Sequence, residues 1–315
     1  MKDLAKIMQQ AQQMQGKMQE AQAKIESTEA DGVAGAGLVR VRLAGHFEQS
    51  HVDKRTLRND GASRGHQVGA RVGVAIHDSN TGSDWTHRAD ERFLMNSTVK
   101  APLCAAILSR DDIDLTETLP VRTEDILDYA PVTEKRVGTE MSVADLCLAA
   151  LDQSDNTATN ILFDRLGGPE QLTEFLRSIG DDVTRSNRIE PELNIFSAGE
   201  PRDDTTTPTA MISTLRAILV GDGLSGQDQE QLAKWMRPGG VTGDLIRPAV
   251  PDGWDVVDKS GSGNNTRNLI AMLTPPSEDP IFVSLSISDT DADFATRNAA
   301  LKDLGAAVME QIVRN

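Results

Sequence analysis

The sequence predicts an α+β fold, in which two distant parts of the chain build one antiparallel sheet with flanking helices and an all-α subdomain is inserted between them. Three observations support this prediction. VGARVGVAIHDSNTG, from about residue 67, has the pattern of a strand and a turn, and helical patterns fill the middle of the chain. Strand-like segments then return in DGWDVVDKSGSG, LIAMLTP and PIFVSLSIS, before a helix over 293–313. Strands at both ends of a helical middle favour this architecture.

The composition is that of a globular protein with a sizeable core. The chain has 315 residues, of which 38% are hydrophobic and 25% charged, so one or two domains are expected. It has no apolar run of about 18 residues, so we expect no membrane span. The net charge of −16 disfavours binding to nucleic acid. The five histidines lack metal-ligand spacing, and we expect neither a metal nor a cofactor.

The first residues predict an extra amphipathic helix. In residues 1–28, apolar side chains recur every three or four positions among Gln, Lys and Glu. A lone helix cannot bury such a stripe, so it packs on something else, for which a second copy of the chain is one candidate. Three glycines within residues 32–37 end the helix, LVRVRL (38–43) alternates like a strand, and 44–66 has the character of a linker. The start lacks the basic and apolar regions of a signal peptide.

The first chemical motif is Ser97-Thr98-Val99-Lys100, followed by the apolar run APLCAAIL. If Ser97 opens a helix, Ser97 and Lys100 lie on one face of it. Pro102 supports a helix start close to Ser97, since proline is tolerated only near a first turn. A lysine at the positive end of a helix loses its proton more readily and can accept one from serine. The pattern therefore predicts a serine nucleophile with an amine beside it.

Two further motifs follow in order along the chain. Ser154-Asp155-Asn156 supplies a hydroxyl that can pass a proton to a leaving nitrogen and an amide that can hold a substrate carbonyl; taken alone, Asp-Asn after Ser favours a turn. Lys259-Ser260-Gly261 ends the strand-like DVVD. A lysine and a hydroxyl there suit a substrate carboxylate, and Gly261 permits a close approach of substrate backbone.

A fourth motif, RIEPELN, carries a carboxylate and an amide four residues apart. Glu190 and Asn194 could hold one water molecule between them and make it nucleophilic. Arg188 and Asp204 bracket this segment with opposite charges, and an ion pair between them would close a loop at its neck. A solvated acidic loop would explain neither the Glu-Pro-x-x-Asn pattern nor its position.

S-x-x-K, S-D-N and K-[ST]-G occurring in this order resemble the motif set of β-lactamases and penicillin-binding proteins. With Glu190 and Asn194, residues 67–315 resemble a class A serine β-lactamase from end to end, with a helical subdomain at roughly 88–236. The resemblance implies Ser97 as the nucleophile, Lys100 as its base partner, Ser154 as the proton relay, and Glu190 with Asn194 as the holders of the deacylating water. The acylation base is left open between Lys100 and Glu190. The further implied roles are the oxyanion hole for the N–H groups of Ser97 and Ser262, substrate-carboxylate binding for Lys259, Ser260 and Arg267, an aromatic wall for Tyr129, and substrate-amide binding for Asn156.

The expected function is hydrolysis of penicillins and some cephalosporins, which gives antibiotic resistance. Composition alone leaves Cys104 and Cys147 as either a bridge or two inert thiols. The resemblance places them where a subset of the family forms a disulfide, and it implies a periplasmic or secreted enzyme, whereas the start of the chain favours the cytoplasm. The third motif reads K-S-G where the family has K-T-G, which keeps the hydroxyl. The segment after it is one residue shorter than in close relatives, so its position identifies Arg267 less firmly than Lys259 or Ser260 as a ligand of the substrate carboxylate.

Two alternatives remain. A penicillin-binding D,D-peptidase shares the first three motifs but lacks the Glu190 arrangement. The opening over 1–43 resembles the start of YbaB-type nucleoid-associated proteins, which are dimeric DNA binders. Residues 1–58 hold nine basic and seven acidic side chains, which is little charge for DNA binding. The predicted organisation is thus a YbaB-like fragment at 1–43, a linker at 44–66 and the β-lactamase domain at 67–315.

Overall fold

A computed structural model describes residues 29–34, 39–44, 69–196, 199 and 201–314. Its centre is a five-stranded sheet in which all neighbouring strands are antiparallel. The strands are β3 (Arg71–Asp78), β4 (Ser83–His87), β9 (Asp255–Gly263), β10 (Thr266–Thr274) and β11 (Ile281–Ser288), in the spatial order β4-β3-β11-β10-β9. The prediction of a sheet built from both ends of this region is confirmed; β4 was not predicted.

Both faces of the sheet are covered. Every residue of β11 is buried, as is nearly all of β10, so neither central strand has a solvent face. Leu269 and Leu285 belong to the core layer between the sheet and the C-terminal helix α7 (Phe294–Arg314). Ile270 and Phe282 point the other way, into the larger core shared with the remaining helices. This alternation follows from the two-residue period of a strand.

The helical region surrounds one buried helix, α1 (Lys100–Leu108). Around it lie α2 (Val143–Asp152), α3 (Asn156–Leu166), α4 (Pro169–Ser178), α5 (Pro208–Leu219) and α6 (Gly226–Met236). The hydroxyl or carboxylate before several of these helices accepts a backbone N–H of the first turn, as Ser142, Asp155 and Thr207 do. Two short ladders complete the region: β6 (Thr118–Pro120) with β7 (Glu140–Ser142), and β5 (Phe93–Leu94) with β8 (Thr205–Thr206).

An antiparallel hairpin of β1 (Glu29–Ala34) and β2 (Val39–Ala44) packs against α7. The strand predicted at 38–43 is confirmed by β2. The glycines expected only to break the preceding helix include Gly32, which instead lies within β1, because glycine is compatible with extended backbone as well as with turns. The helix predicted at 1–28 lies outside the described residues, as does nearly all of the linker predicted at 44–66.

One local prediction about the motifs changes in detail. Ser97 lies in a 3₁₀ turn, Asn96–Val99, and the α-helix proper begins at Lys100, so Ser97 precedes the helix rather than opening it. Ser154 and Asp155 lie between α2 and α3, and only Asn156 is helical. Asp155 caps α3 through Ala158 N, because an Asp at this position satisfies a first-turn N–H that has no partner within the helix.

Candidate active site

The nucleophile turn is held between the sheet and the helical region. Asn96 has a φ of 49°, a left-handed conformation that Asn tolerates better than most residues. The 3₁₀ turn contains Ser97 and is followed directly by α1. Pro102 is the third residue of α1, where a missing N–H interrupts no helical hydrogen bond. The sequence therefore fixes a sharp entry into the buried helix, with Ser97 at its start.

Lys100 is completely buried and its amine is surrounded by oxygen atoms. Nζ donates to Ser154 O at 2.8 Å and to Asn156 Oδ1 at 2.7 Å. It also lies 3.2 Å from Glu190 Oε1 and 3.4 Å from Ser154 Oγ. Burial lowers the pKa of Lys100, and the charge of Glu190 and its hydrogen bond oppose that shift. One amine thus contacts two of the predicted catalytic side chains, Ser154 and Glu190.

Ser154 Oγ lies between two lysines. Besides its contact with Lys100, it accepts from Lys259 Nζ at 3.1 Å. Asp155 anchors the Ser154 loop, since its carboxylate accepts from the backbone N–H groups of Val132 and Thr133, each at 2.9 Å. Ser154 itself has a φ of 58°. The loop is therefore anchored directly after the hydroxyl that contacts both lysines.

Lys259, Ser260 and Gly261 lie on β9, at an edge of the sheet. Lys259 is fully buried; burial first, and then the positive charges of Lys100 and Arg267, lower its pKa well below that of a free lysine. A side chain at Gly261 would bring its Cβ to 2.7 Å from Met95 O and 3.2 Å from Ser97 N. Glycine is thus required for β9 to lie against the nucleophile turn.

Glu190 is buried and held at both its backbone and its side chain. The Asn160 amide donates to Glu190 O at 2.8 Å and accepts from Glu190 N at 2.9 Å. Asn194 Nδ2 donates to Glu190 Oε2 at 2.5 Å, and the Glu190–Pro191 peptide is cis. The structure therefore brings Glu190 and Asn194 together, while the water predicted between them stays a prediction. Asn160 was missed, because nothing in NTATN distinguishes it from an ordinary helix residue.

The predicted ion pair at the neck of this loop is present in the structure. Arg188 Nε lies 2.5 Å from Asp204 Oδ2, and Arg188 Nη2 also donates to Ile195 O at 2.7 Å. Asp204 Oδ1 accepts from the backbone N–H groups of Asn187 and Arg188. Asp204 O accepts from Met95 N at 2.9 Å, two residues before Ser97. The neck is thus connected directly to the nucleophile turn.

Arg267 is mostly buried beside β9. Its guanidinium donates to Gly261 O at 3.0 Å and makes two hydrogen bonds to Asn298 Oδ1, at 3.1 and 2.9 Å. It also stacks over the ring of Phe294, 5.3 Å from the centroid. Burial, helped by the charge of Arg297, lowers the pKa of Arg267 to about 10. It remains a cation at neutral pH, fixed in orientation next to Ser260.

These elements enclose a cavity of about 310 Å³. Most of its lining consists of predicted site residues: Ser97, Tyr129, Ser154, Asn156, Asn194, Ser260, Ser262 and Arg267. Val241 and Phe294 complete the lining and were missed, because no motif surrounds either of them. Tyr129 is 49% exposed, and its carbonyl accepts from Asn156 N, which places the ring at the entrance. A second cavity of about 430 Å³ adjoins it, between residues 191–195 and 262–264.

Cys104 and Cys147 are both buried and are free thiols in the structure. Burial raises the pKa of Cys147, and its hydrogen bond with Cys104 raises it further. The two side chains on α1 and α2 are therefore neighbours, and the disulfide between them stays a prediction. Within the described ranges, no group of three or more His, Cys, Asp or Glu side chains is placed to hold a metal. No described helix is long and apolar enough to cross a bilayer.

The known proteins that this chain resembles agree with the chemistry of this site. Residues 56–312 match the model of the beta-lactamase enzyme family, and residues 1–60 match that of the YbaB/EbfC DNA-binding family. The chain is 56% identical to a beta-lactamase of Rhodobacter capsulatus, over 77% of this chain and 84% of that protein. It is 40% identical to beta-lactamase CARB-4 of Pseudomonas aeruginosa, over 77% and 85%.

Solved structures agree with these matches. A beta-lactamase from Xanthomonas campestris is 44% identical, with a TM-score of 0.74 over 78% of this chain and 93% of that one. An ancestral class A beta-lactamase, reconstructed for Gram-negative bacteria, is 46% identical, with a TM-score of 0.74 over 77% and 95%. The family match covers well over half of the chain, and the structure brings residues of all four motifs to one cavity. The chain belongs to the beta-lactamase enzyme family and is a serine hydrolase of class A.

Proposed function

We propose that this protein hydrolyses penicillins and early cephalosporins through an acyl-enzyme on Ser97, and that it thereby confers resistance to them. The observation that carries the proposal is the position of the Lys100 amine, 3.2 Å from Glu190 Oε1 and 3.4 Å from Ser154 Oγ. This arrangement gives protons a route towards Glu190 and another towards Ser154. Protonation of the leaving nitrogen in acylation uses the route towards Ser154, and deacylation uses Glu190.

In acylation, Ser97 Oγ attacks the carbonyl carbon of the lactam and loses its proton to Lys100 or Glu190. The N–H groups of Ser97 and Ser262 bind the oxygen that becomes negative. The carbon–nitrogen bond of the ring then breaks, and Ser154 donates its proton to the leaving nitrogen. Ser154 recovers a proton from a neighbouring ammonium, since both Lys100 and Lys259 contact its hydroxyl. Where Glu190 took the Ser97 proton, it passes that proton to the Lys100 amine, so that it is a carboxylate again before deacylation. The product is an ester on Ser97.

Substrate is held by its carboxylate and by its amide. Ser260 and Arg267 line the cavity, and Lys259 lies directly behind its wall, where its Nζ contacts Ser154 Oγ; together they supply two cations and a hydroxyl for the carboxylate. Asn156 supplies an amide for the side-chain amide of the substrate, and Tyr129 covers the entrance. A cavity of about 310 Å³ is of the size that small-molecule sites have.

In deacylation, Glu190 takes a proton from a water molecule, and the resulting hydroxide attacks the ester carbonyl. The proton returns to Ser97 Oγ as the ester bond breaks, so the enzyme is regenerated. Glu190 is suited to this role because it is buried, held by Asn160 and oriented by Asn194. A D,D-peptidase would stop at the ester.

The test is intact-protein mass over time after the full chain is mixed with excess benzylpenicillin, with substrate loss followed alongside. We expect rapid substrate loss and only a transient adduct, and neither in Ser97→Ala. A persistent stoichiometric adduct without turnover would indicate the D,D-peptidase alternative. Absence of both adduct and turnover would reject the proposal.

A second candidate function concerns residues 1–43 and is favoured by the family match over residues 1–60. We propose that this region joins two copies of the chain. Sedimentation of the full chain and of a variant lacking residues 1–43 tests this proposal. The same number of chains per particle in both samples would contradict it. A gel shift with duplex DNA at low salt tests DNA association, which the small excess of basic side chains disfavours.

For location, we propose the periplasm or secretion. Fractionation of cells that express the full chain, with β-lactam hydrolysis as the readout, tests it. Activity confined to the cytoplasmic fraction would contradict the proposal.

A further inference from the structure

Asn96, which directly precedes the nucleophile, is completely buried in a left-handed conformation. Its side chain forms hydrogen bonds to three residues on two different segments. Oδ1 accepts from Thr266 Oγ1 at 2.7 Å and from Asn268 Nδ2 at 3.0 Å, both on β10. Nδ2 donates to Asn194 Oδ1 at 3.0 Å. Asn96 thus connects the sheet to the loop that carries Glu190.

The direction of each hydrogen bond in this chain is determined by the groups themselves. Asn268 Nδ2 also donates to Leu94 O at 2.7 Å, so it is the donor toward Asn96 as well. Asn96 must therefore turn its oxygen toward β10 and its nitrogen toward Asn194, because a carboxamide has one oxygen and one nitrogen. Asn194 in turn must present its oxygen to Asn96. Only its nitrogen is then left to face Glu190 Oε2, at 2.5 Å.

The backbone of β9 packs closely against the Asn96 side chain. A Cβ at Gly263 would lie 2.7 Å from Asn96 Nδ2, 2.9 Å from Thr266 Oγ1 and 3.1 Å from Asn194 O. Glycine at this point of β9 lets the loop, the nucleophile turn and β10 approach one another. Asn96 is well suited to its own place, because it combines tolerance of positive φ with one donor and one acceptor.

We propose that Asn96 is a positioning residue for deacylation: by fixing the orientation of the Asn194 amide, it keeps a donor on Glu190 and holds the carboxylate toward the ester on Ser97. The inference rests on the proposed function, since it assumes an ester that Glu190 and water resolve. Acylation should not depend on this contact to the same extent, because the Lys100 amine is held by Ser154 and Asn156 and not by Asn194.

Two substitutions at Asn96 separate the side chain from the backbone. Asn96→Gly removes the amide and keeps a residue that adopts positive φ without strain. Asn96→Asp keeps the shape and accepts from Thr266 and Asn268, but it cannot donate to Asn194, whose amide would then turn its nitrogen away from Glu190. If the glycine variant does not fold, as judged by circular dichroism, the aspartate variant decides the test.

The readouts with benzylpenicillin are kcat/KM, which reports acylation, and the rate at which preformed acyl-enzyme loses its adduct by mass. We expect adduct loss to slow about tenfold, the effect of one hydrogen bond, while kcat/KM stays within about threefold. In an Asn194→Ala background, Asn96→Gly should slow adduct loss no further, because the contact it acts through is gone. A purely structural role would lower kcat/KM and kcat together.

Asn187→Asp is the control for charge: it introduces the same new carboxylate at an exposed position of the loop neck and should leave both readouts unchanged. The inference is overturned if both Asn96 variants lose the adduct at the wild-type rate, or if Asn96→Gly slows it equally with and without Asn194. The proposed function fails separately, because in that case the wild-type chain would itself show no turnover.

Discussion

The ammonium of Lys100 lies 3.2 Å from Oε1 of Glu190, and both side chains are completely buried. When both are ionised, each group is the counterion of the other in a part of the protein that water does not solvate. The pair also links Ser154, which Lys100 contacts, to Asn194, which donates to Glu190. The predictions below test these residues and the framework that holds them.

Removal of the Glu190 carboxylate should separate the two half-reactions. In Glu190→Ala, Ser97 still acylates, whereas hydrolysis of the ester slows by a factor of about a thousand because the base that activates water is missing. Intact mass after mixing with benzylpenicillin should show a persistent adduct. Glu192→Ala, two residues away and exposed, is the control. Turnover of Glu190→Ala at the wild-type rate would show that Glu190 has no role in deacylation.

Lys259 should determine the alkaline limit of acylation. Because burial and two nearby cations lower its pKa, its ammonium loses its proton at a lower pH than a free lysine does. As pH rises through that pKa, the cation that binds the substrate carboxylate is lost, and kcat/KM should fall well before pH 10.5. In Lys259→Arg the fall should move to higher pH, since a guanidinium keeps its proton.

The melting temperature distinguishes this effect from unfolding. A lysine whose pKa is lower in the folded state binds fewer protons there than in the unfolded chain, so its contribution to stability increases with pH between the two pKa values. Deprotonation of Lys259 should therefore lower kcat/KM without lowering the melting temperature. An alkaline limb at the same pH in wild-type and Lys259→Arg would assign it to another group.

Asp204 should stabilise the protein more than most acidic residues. It is buried, pairs with Arg188 and accepts two backbone N–H groups, so Asp204→Ala leaves several donors without partners. We expect a loss of about 3 kcal/mol in the free energy of unfolding, measured with urea. Asp112→Ala, which breaks the exposed pair with Arg110, is the control and should have little effect. Equal losses in the two variants would contradict the role given to the neck.

The neighbouring thiols of Cys104 and Cys147 should form a disulfide under oxidising conditions. The mass should fall by two hydrogens. The bridge should add about 3 kcal/mol to the free energy of unfolding, because it reduces the number of conformations that the unfolded chain can adopt. Cys147→Ser is the control, since it keeps one thiol and cannot form the bridge. If both thiols react with an alkylating agent after oxidation and unfolding, the predicted bridge does not form.

Tyr129 should contribute to substrate binding through its ring. Its side chain is half exposed at the cavity entrance, so Tyr129→Ala should leave the melting temperature nearly unchanged while kcat/KM falls about tenfold. Tyr129→Phe keeps the ring and should stay close to wild type. An equal loss in the two variants would assign the effect to the hydroxyl instead.

Local sequence determined most of the catalytic residues and the main strands of the sheet. Ser97, Lys100, Glu190 and Lys259 belong to short motifs in which spacing and residue type carry the chemistry, and β10 and β11 contain the apolar segments LIAML and IFVSL. These signals are local, since they depend on residues a few positions apart in the chain. Their order along the chain was enough to predict the fold and the reaction.

Only the tertiary structure decided which side chains contact one another across the site. Asn160, Val241, Phe294 and Asn298 lie far along the chain from the residues that they contact and belong to no motif, so nothing in their local sequence distinguishes them. Gly32 differs from these residues because its local sequence does carry a signal, but that signal is compatible with either a turn or a strand. Its pairing with β2 in the hairpin makes it part of a strand. Likewise, the orientation of the Asn194 amide depends on Asn96 and on two donors from β10, because the direction of a hydrogen bond is set by all the partners that folding brings together.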